Sequence, residues 1–196
     1  MEQLSHTLVG CPTGSVTVYT IGHSSRSPQE FLDILHCAGI SCVADVRAYP
    51  KSRRHPGFSR PVLAARLEEA GIAYCWLGTA LGGFRKASAT SPHVALDGAG
   101  LRGYADHMGS ALFLDGIEEL LAHARQRPTT LLCAERLPRD CHRRLIADHL
   151  VAHGVAVTHL VDLDYQVPHR LDTLARRLEG RLIYDRGTTE QLGLEL

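Results

Sequence analysis

The sequence predicts a three-layer α/β domain built on a mostly parallel, five-stranded, doubly wound sheet. Three observations carry that expectation. Apolar, β-rich runs of six or seven residues recur along the chain, separated by amphipathic stretches of helical period. Glycines at positions 39, 71 and 154 close three of those helical stretches. The length, 196 residues with 44% hydrophobic content, suits one globular domain with a real core. Strands that alternate with helices imply a parallel sheet covered on both faces, and right-handed crossovers then wind it both ways.

Residues 16–22 (VTVYTIG) are the first expected strand, ending at Gly22-His23. Ser27-Pro28-Gln29-Glu30 has the form of a capping box with proline at the first helical position. It opens a helix over 28–38 whose apolar face is Phe31, Ile34, Leu35 and Ala38. Residues 40–46 (ISCVADV) form the second strand, a helix follows over 61–70, and residues 72–77 (IAYCWL) form the third strand. One long helix is expected over 104–125, on the stripe Ile117, Leu120, Leu121 and Ala124. The fourth strand is 129–134 (TTLLCA). A helix over 141–153, capped by Asp140, leads to the fifth strand at 155–161 (VAVTHLV).

Two regions break the alternation. Residues 80–103 are rich in Gly, Ser and Ala and carry Arg85, Lys86, His93 and Arg102, a loop long enough to be functional. Residues 162–196 are expected as an extension of the 16–161 domain, with a helix over 171–178 and a polar tail.

Composition narrows the function classes. Lys plus Arg equals Asp plus Glu at 21 each, so the chain is no polycation that binds nucleic acid through bulk charge. Nineteen of the basic residues are Arg, which offers a planar fork to phosphate or carboxylate where position allows. The six cysteines contain no CxxC pair, residues 1–17 do not read as a signal peptide, and no apolar run approaches a membrane span. A cytoplasmic protein with reduced thiols is expected. No Walker loop, G-x-G-x-x-G or H-E-x-x-H occurs, and no motif requires a cofactor.

Ligands of open parallel sheets bind beyond the carboxyl ends of the strands. Those ends hold His23 and Ser24 after strand one, Asp45 and Arg47 after strand two, and Cys133 and Glu135 after strand four. His23 is a general acid/base or a ligand on one reading, and a loop histidine bonded to backbone on the other. Asp45 either pairs with Arg47 or Arg53 or works as an acid/base, and Ser24 is either a nucleophile or a turn residue. Arg47, Lys51, Arg53, Arg54 and His55 make a basic cluster suited to anions. With Asp140 as cap, Cys141 and His142 fall in a first helical turn beside Arg143, where helix amides stabilise a thiolate. Cys141 is thus a candidate nucleophile, redox thiol or metal ligand, and Cys133, Glu135, Cys141 and His142 are the ligand set if a metal binds. Cys133 and Arg139 match Cys-x5-Arg, but Glu135 and Pro138 between them disfavour an anion-binding loop. Cys37, Cys42 and Cys75 read as core, and Cys11 is unassigned.

Five motifs in order resemble one family: TIGHS (20–24), DVR (45–47), SRR (52–54) with Pro50 and Phe58 nearby, LGG (81–83), and LLCAE…CHR (131–135, 141–143). Together they look like the uncharacterised domain-of-unknown-function 488 family, over roughly residues 16–161. Gly103-Tyr104 and Met108 also sit where such proteins carry Tyr and Met. The resemblance implies a compact α/β domain with TIGHS and the Cys-Glu…Cys-His-Arg segment as hallmarks; it supplies no reaction.

The leading expectation is an enzyme on an anionic or nucleotide-like substrate. Arg47, Arg53 and Arg143 would hold the anion, with Tyr104 in the binding set. His23, Glu135 and Asp45 would move protons, Cys133 or Cys141 would act as nucleophile or redox thiol, and the 80–103 loop would be a lid. The alternatives are a nucleotide or nucleic-acid binding module, a metal protein and a structural domain.

Overall fold

The computed structural model describes residues 16–185 apart from Ser52 and Arg53. Cys11 and Arg53, both weighed above, lie outside the described residues.

The elements run β1 (Thr17–Gly22), α1 (Pro28–Cys37), β2 (Cys42–Asp45), α2 (Arg60–Glu69), β3 (Ala73–Trp76), α3 (Gly78–Leu81), α4 (Ala99–His107), α5 (Ala111–Gln126), β4 (Thr129–Cys133), α6 (Arg143–Ala152), β5 (Ala156–Asp162), β6 (Tyr165–Pro168), β7 (Ala175–Leu178) and β8 (Arg181–Tyr184). The main sheet has the order β3-β2-β4-β1-β5-β6. Its first five strands in the chain are mutually parallel, and β6 adds antiparallel to β5. The three-layer, mostly parallel α/β class expected from the sequence is the one found, with a sixth strand.

Strand alternation sorts the core into two layers. Ile21, Val43, Leu132 and Leu160 face one way and pack with Phe31 and Leu35 of α1 and Leu63 and Leu67 of α2. Val18, Ala44, Leu131 and Val157 face the other way, under Tyr104 of α4, Phe113 and Ile117 of α5, and Leu145 and Ile146 of α6. The capping box at α1 forms as read: Ser27 Oγ accepts from the Glu30 amide at 3.1 Å, and Glu30 Oε2 accepts from the Ser27 amide at 2.6 Å.

β1 and β4 are neighbours, yet the chain leaves β1 into α1 on one face and leaves β4 into α6 on the other. That divergence is a topological switch point, where a crevice opens beyond the strand ends.

Three expectations are corrected. The helix predicted over 104–125 is two helices. The first ends at His107 with Met108 as its cap, and Ser110 caps the second, its Oγ accepting from the Phe113 amide at 3.2 Å. The helix predicted over 171–178 is absent. Its second half is β7, paired with β8 through a two-residue turn in which Glu179 and Gly180 both have positive φ, 49° and 78°. That is the geometry of a primed hairpin turn. The region after Asp162 joins the rest of the fold: β6 extends the sheet, and Leu182 and Tyr184 are buried in the core. Finally, α6 begins at Arg143. Pro138–Asp140 form a 3-10 turn that ends on Cys141, so Asp140 caps nothing in α6 and Cys141 precedes the helix in extended conformation.

Candidate functional site

A cleft of about 860 Å³ opens at the switch point. Its walls are His23 and Ser24 after β1, Cys133, Ala134 and Glu135 at the end of β4, Cys141 and His142 before α6, and Arg47, Tyr49, Lys51, Arg54 and His55 after β2. Gly83, Phe84, Gly100 and Leu101 close it from the 80–103 segment. The loops after β1 and β4 are stitched by backbone bonds, His23 N–H to Cys133 O at 3.0 Å and Ser24 N–H to Ala134 O at 2.7 Å. Ser24 takes φ 42° to make the second bond, which defines it as a turn residue.

The two cysteines of the cleft and His142 form one cluster. Their sulfurs and ring nitrogen lie within 4.8 Å of one another. His142 Nδ1 is 3.6 Å from Cys141 Sγ and 3.8 Å from Cys133 Sγ, while its Nε2 is buried without a partner. Gly83 lets the chain close over the ring: a Cβ there would stand 2.5 Å from Nδ1. Arg143 completes the group from behind. Its Nε donates to Cys141 Sγ at 3.4 Å and its backbone amide donates to the same sulfur at 3.5 Å. Cys141 is extended and precedes the N-cap His142, and its sulfur accepts the first amide of α6.

These contacts divide the two thiols. A hydrogen bond from the Cys133 thiol, followed by His142 and Arg143, holds Cys141 well below the usual thiol range against the opposing effect of burial. Donating that bond, together with burial, pushes Cys133 well above it. Both effects favour Cys141 over Cys133 as the sulfur that carries negative charge.

Arg143 itself is held by a directed chain. Its remaining nitrogens donate to Thr20 Oγ1 at 3.4 Å and to the carbonyl of Glu135. Thr20 pairs with His159 Nδ1 at 2.7 Å, His159 Nε2 with His169 Nδ1 at 2.9 Å, and His169 Nε2 with Asp148 Oδ1 at 2.9 Å. A carboxylate only accepts, so His169 donates from Nε2 and accepts at Nδ1. His159 then donates from Nε2 and accepts from Thr20. In that arrangement every donor points from the arginine towards the aspartate. Burial pulls His159 down to about 4. Spacing along the sequence gave no signal for this chain, because its members are 20, 143, 148, 159 and 169.

The other expected residues fall as follows. His23 donates from Nδ1 to Ser24 O at 3.1 Å and stacks on Phe58 at 4.5 Å; burial, helped by Arg47, pulls it down to about 4, so it faces the cleft neutral. Glu135 is an exposed carboxylate on the cleft wall. Arg47 reaches the wall, but its fork is engaged: Nε and a terminal nitrogen bind Asp45 at 2.8 and 2.6 Å, and the other terminal nitrogen binds Phe58 O at 2.8 Å. Asp45 also accepts from Tyr74 at 2.8 Å, so this pair orders the loop. Arg143 lies behind the cysteines and not among the groups lining the cleft, contrary to its expected role as an anion ligand. Tyr104 is fully buried, with its hydroxyl on Leu81 O at 3.0 Å and its ring 4.9 Å from His142. It backs the cluster and touches no open space. Glu135 is not part of the Cys133–Cys141–His142 group, and Arg139 points to solvent beside Asp140.

Fold and site together define a doubly wound α/β protein with a cysteine-lined cleft at the switch point. The chain belongs to the family described as domain of unknown function DUF488, whose model matches residues 27–150. The match takes in both cleft cysteines and ends before β5 and the β6–β8 region. No curated protein and no solved structure matches the chain.

Proposed function

We propose that this cleft is the active site of an enzyme that uses the Cys141 thiolate as a nucleophile on an anionic, nucleotide-like substrate. The observation that carries the reading is the Cys141 sulfur, met by two N–H donors of Arg143 and by His142 while it lines a cleft of about 860 Å³. Such an arrangement lowers the cost of an anionic sulfur and leaves it a space to attack into. Lys51 and Arg54 on the same wall favour an anion. Tyr49 and Phe84, 74% and 78% exposed with ring centroids 5.8 Å apart, favour a planar group beside it. His23, neutral at pH 7, and the Glu135 carboxylate are the groups available to accept protons. The chemistry needs both cleft thiols reduced, which fits a reducing compartment. Among the described residues no helix is long and apolar enough to cross a membrane.

Competitive alkylation at pH 6, read residue by residue in a mass spectrometer, tests the reading. Cys141 should label faster than the exposed Cys37. Its preference for iodoacetate over neutral iodoacetamide should exceed that of Cys37 by about tenfold, as expected for a cationic cleft. Equal labelling at the two residues, or equal reagent preference, would overturn it.

A further inference from the structure

A second group of thiols lies outside the cleft, on two strands treated above as plain core. Cys42 opens β2, and Cys75 sits on the adjacent strand β3, opposite Ala44 in the register. Cys42 and Cys75 are therefore two positions apart along neighbouring strands and point to the same face. That face is covered by α5, and His123 of α5 comes down over the two sulfurs. Sγ of Cys42, Sγ of Cys75 and a ring nitrogen of His123 all lie within 4.8 Å of one another. Among the described residues only one other such group of metal-ligating side chains exists, the one in the cleft.

We propose that Cys42, Cys75 and His123 bind a thiophilic divalent cation of the zinc class. The donor set is the first argument: two sulfurs and one imidazole suit a borderline-soft d10 ion and disfavour magnesium or calcium. The second is distance. Zn–S bonds of about 2.3 Å and Zn–N bonds of about 2.0 Å place tetrahedral donors roughly 3.5–3.8 Å apart. The present separations, none above 4.8 Å, exceed that spacing by about 1 Å at most. The third is access. Cys42 is buried while Cys75 and His123 are half-buried, so an ion can enter from solvent and keep a fourth position. Glu119 stands one turn before His123 on α5, at the i, i+4 spacing that shares a helix face. It lies near enough to Cys75 to act on it electrostatically. Its carboxylate lies outside the 4.8 Å group, so a water fills the fourth place. Binding displaces the thiol protons to solvent.

The cleft triad is the poorer metal site despite the same residue types. There the guanidinium and amide of Arg143 already donate to the Cys141 sulfur from behind, and the fixed positive charge beside it disfavours a second cation. No arginine donates to either sulfur of the Cys42–Cys75 pair among the bonds of the described residues. The bound ion would clamp α5 to β2 and β3, a structural role separate from the cleft chemistry.

The test uses the full chain, purified without an affinity tag, stripped with a chelator under reducing conditions and titrated with Co²⁺. A thiolate-to-cobalt charge-transfer band saturating at one ion per chain is expected. The band should persist in the Cys133→Ser/Cys141→Ser double variant and vanish in Cys75→Ser. His123→Ala, at a half-exposed helix position, keeps the test decisive where Cys75→Ser does not fold; it should weaken Co²⁺ binding by at least about tenfold. Zn²⁺ should raise the melting midpoint of the wild type and of the double variant, and not of His123→Ala. Absence of the band, or a band that survives Cys75→Ser and disappears in the double variant, overturns the proposal.

Discussion

Arg143 spends its guanidinium on protein groups: the Cys141 sulfur, Thr20 and the Glu135 carbonyl. Lysine keeps the charge but lacks the planar fork, and cannot reach all three at once. Arg143→Lys should therefore raise the pH midpoint of Cys141 alkylation by about one unit, since a hydrogen bond to a charged group contributes about 1.5–3 kcal/mol and one unit corresponds to about 1.4 kcal/mol. Arg143→Met, which removes the charge as well, should raise it further. An unchanged midpoint in the methionine variant would show that Cys141 does not depend on this arginine. The sequence placed Cys141, His142 and Arg143 at one strand edge correctly but could not say which way the arginine points. Position beyond a strand end identifies a neighbourhood; whether a fork meets a ligand or a sulfur depends on the rotamer and on Thr20, more than a hundred residues away in the chain. Asp45 was more legible. Its pairing with Arg47, two residues on, is local, and it is the pairing found.

At the scale of elements, period and punctuation carried most of the fold. The five parallel strands and the helices opened by Ser27-Pro28 or closed by Gly39, Gly71 and Gly154 stand within one or two residues of expectation. The β7–β8 hairpin was missed because Ala-Arg-Arg-Leu has good helix propensity, and pairing with β8 overrides it. The end of β1 was legible as a Gly-His junction, but the reason for glycine was not. A Cβ on Gly22 would stand 1.8 Å from the Glu135 carbonyl oxygen. Gly22→Ala must push the β4 loop away, and that carbonyl is an acceptor for Arg143. We expect a loss of about 3 kcal/mol, at the upper end for overpacking, together with slower alkylation of Cys141. Gly39→Ala is the control. Its φ of 64° strains an alanine by about 1 kcal/mol, but its Cβ would meet nothing within 4 Å, so labelling of Cys141 should not change. Equal labelling in both variants would separate the strand end from the thiolate.

For the molecule as a whole, the domain edge was the part the sequence hid. Asp148 of α6 is fully buried and accepts from His169, from the Asp172 amide and from Tyr184, so residues far beyond position 161 complete its shell. No local pattern marks such a partner. The same burial of polar groups sets the response to acid. His23, His149 and His159 are each pulled down to about 4, in every case first by desolvation. The unfolded chain binds those three protons near pH 6.5 and the folded protein resists them until about pH 4. Between these values the unfolded state holds more protons, so stability is full above pH 6.5 and falls as pH drops through the window. With partial solvent access at each ring, about 2 kcal/mol should be gone by pH 5.5. Urea unfolding at pH 7 and pH 5.5 reads this directly, as a lower midpoint at an unchanged slope. His149 is the separable contributor: it touches neither the cleft nor the Arg143 chain, and packs edge-on against Phe113 beside His153. His149→Gln should shrink the difference between the two pH values by roughly a third, because one of three resisting groups is gone. A midpoint that does not move with pH in the wild type would mean that these rings accept protons in the folded state as readily as in the unfolded one.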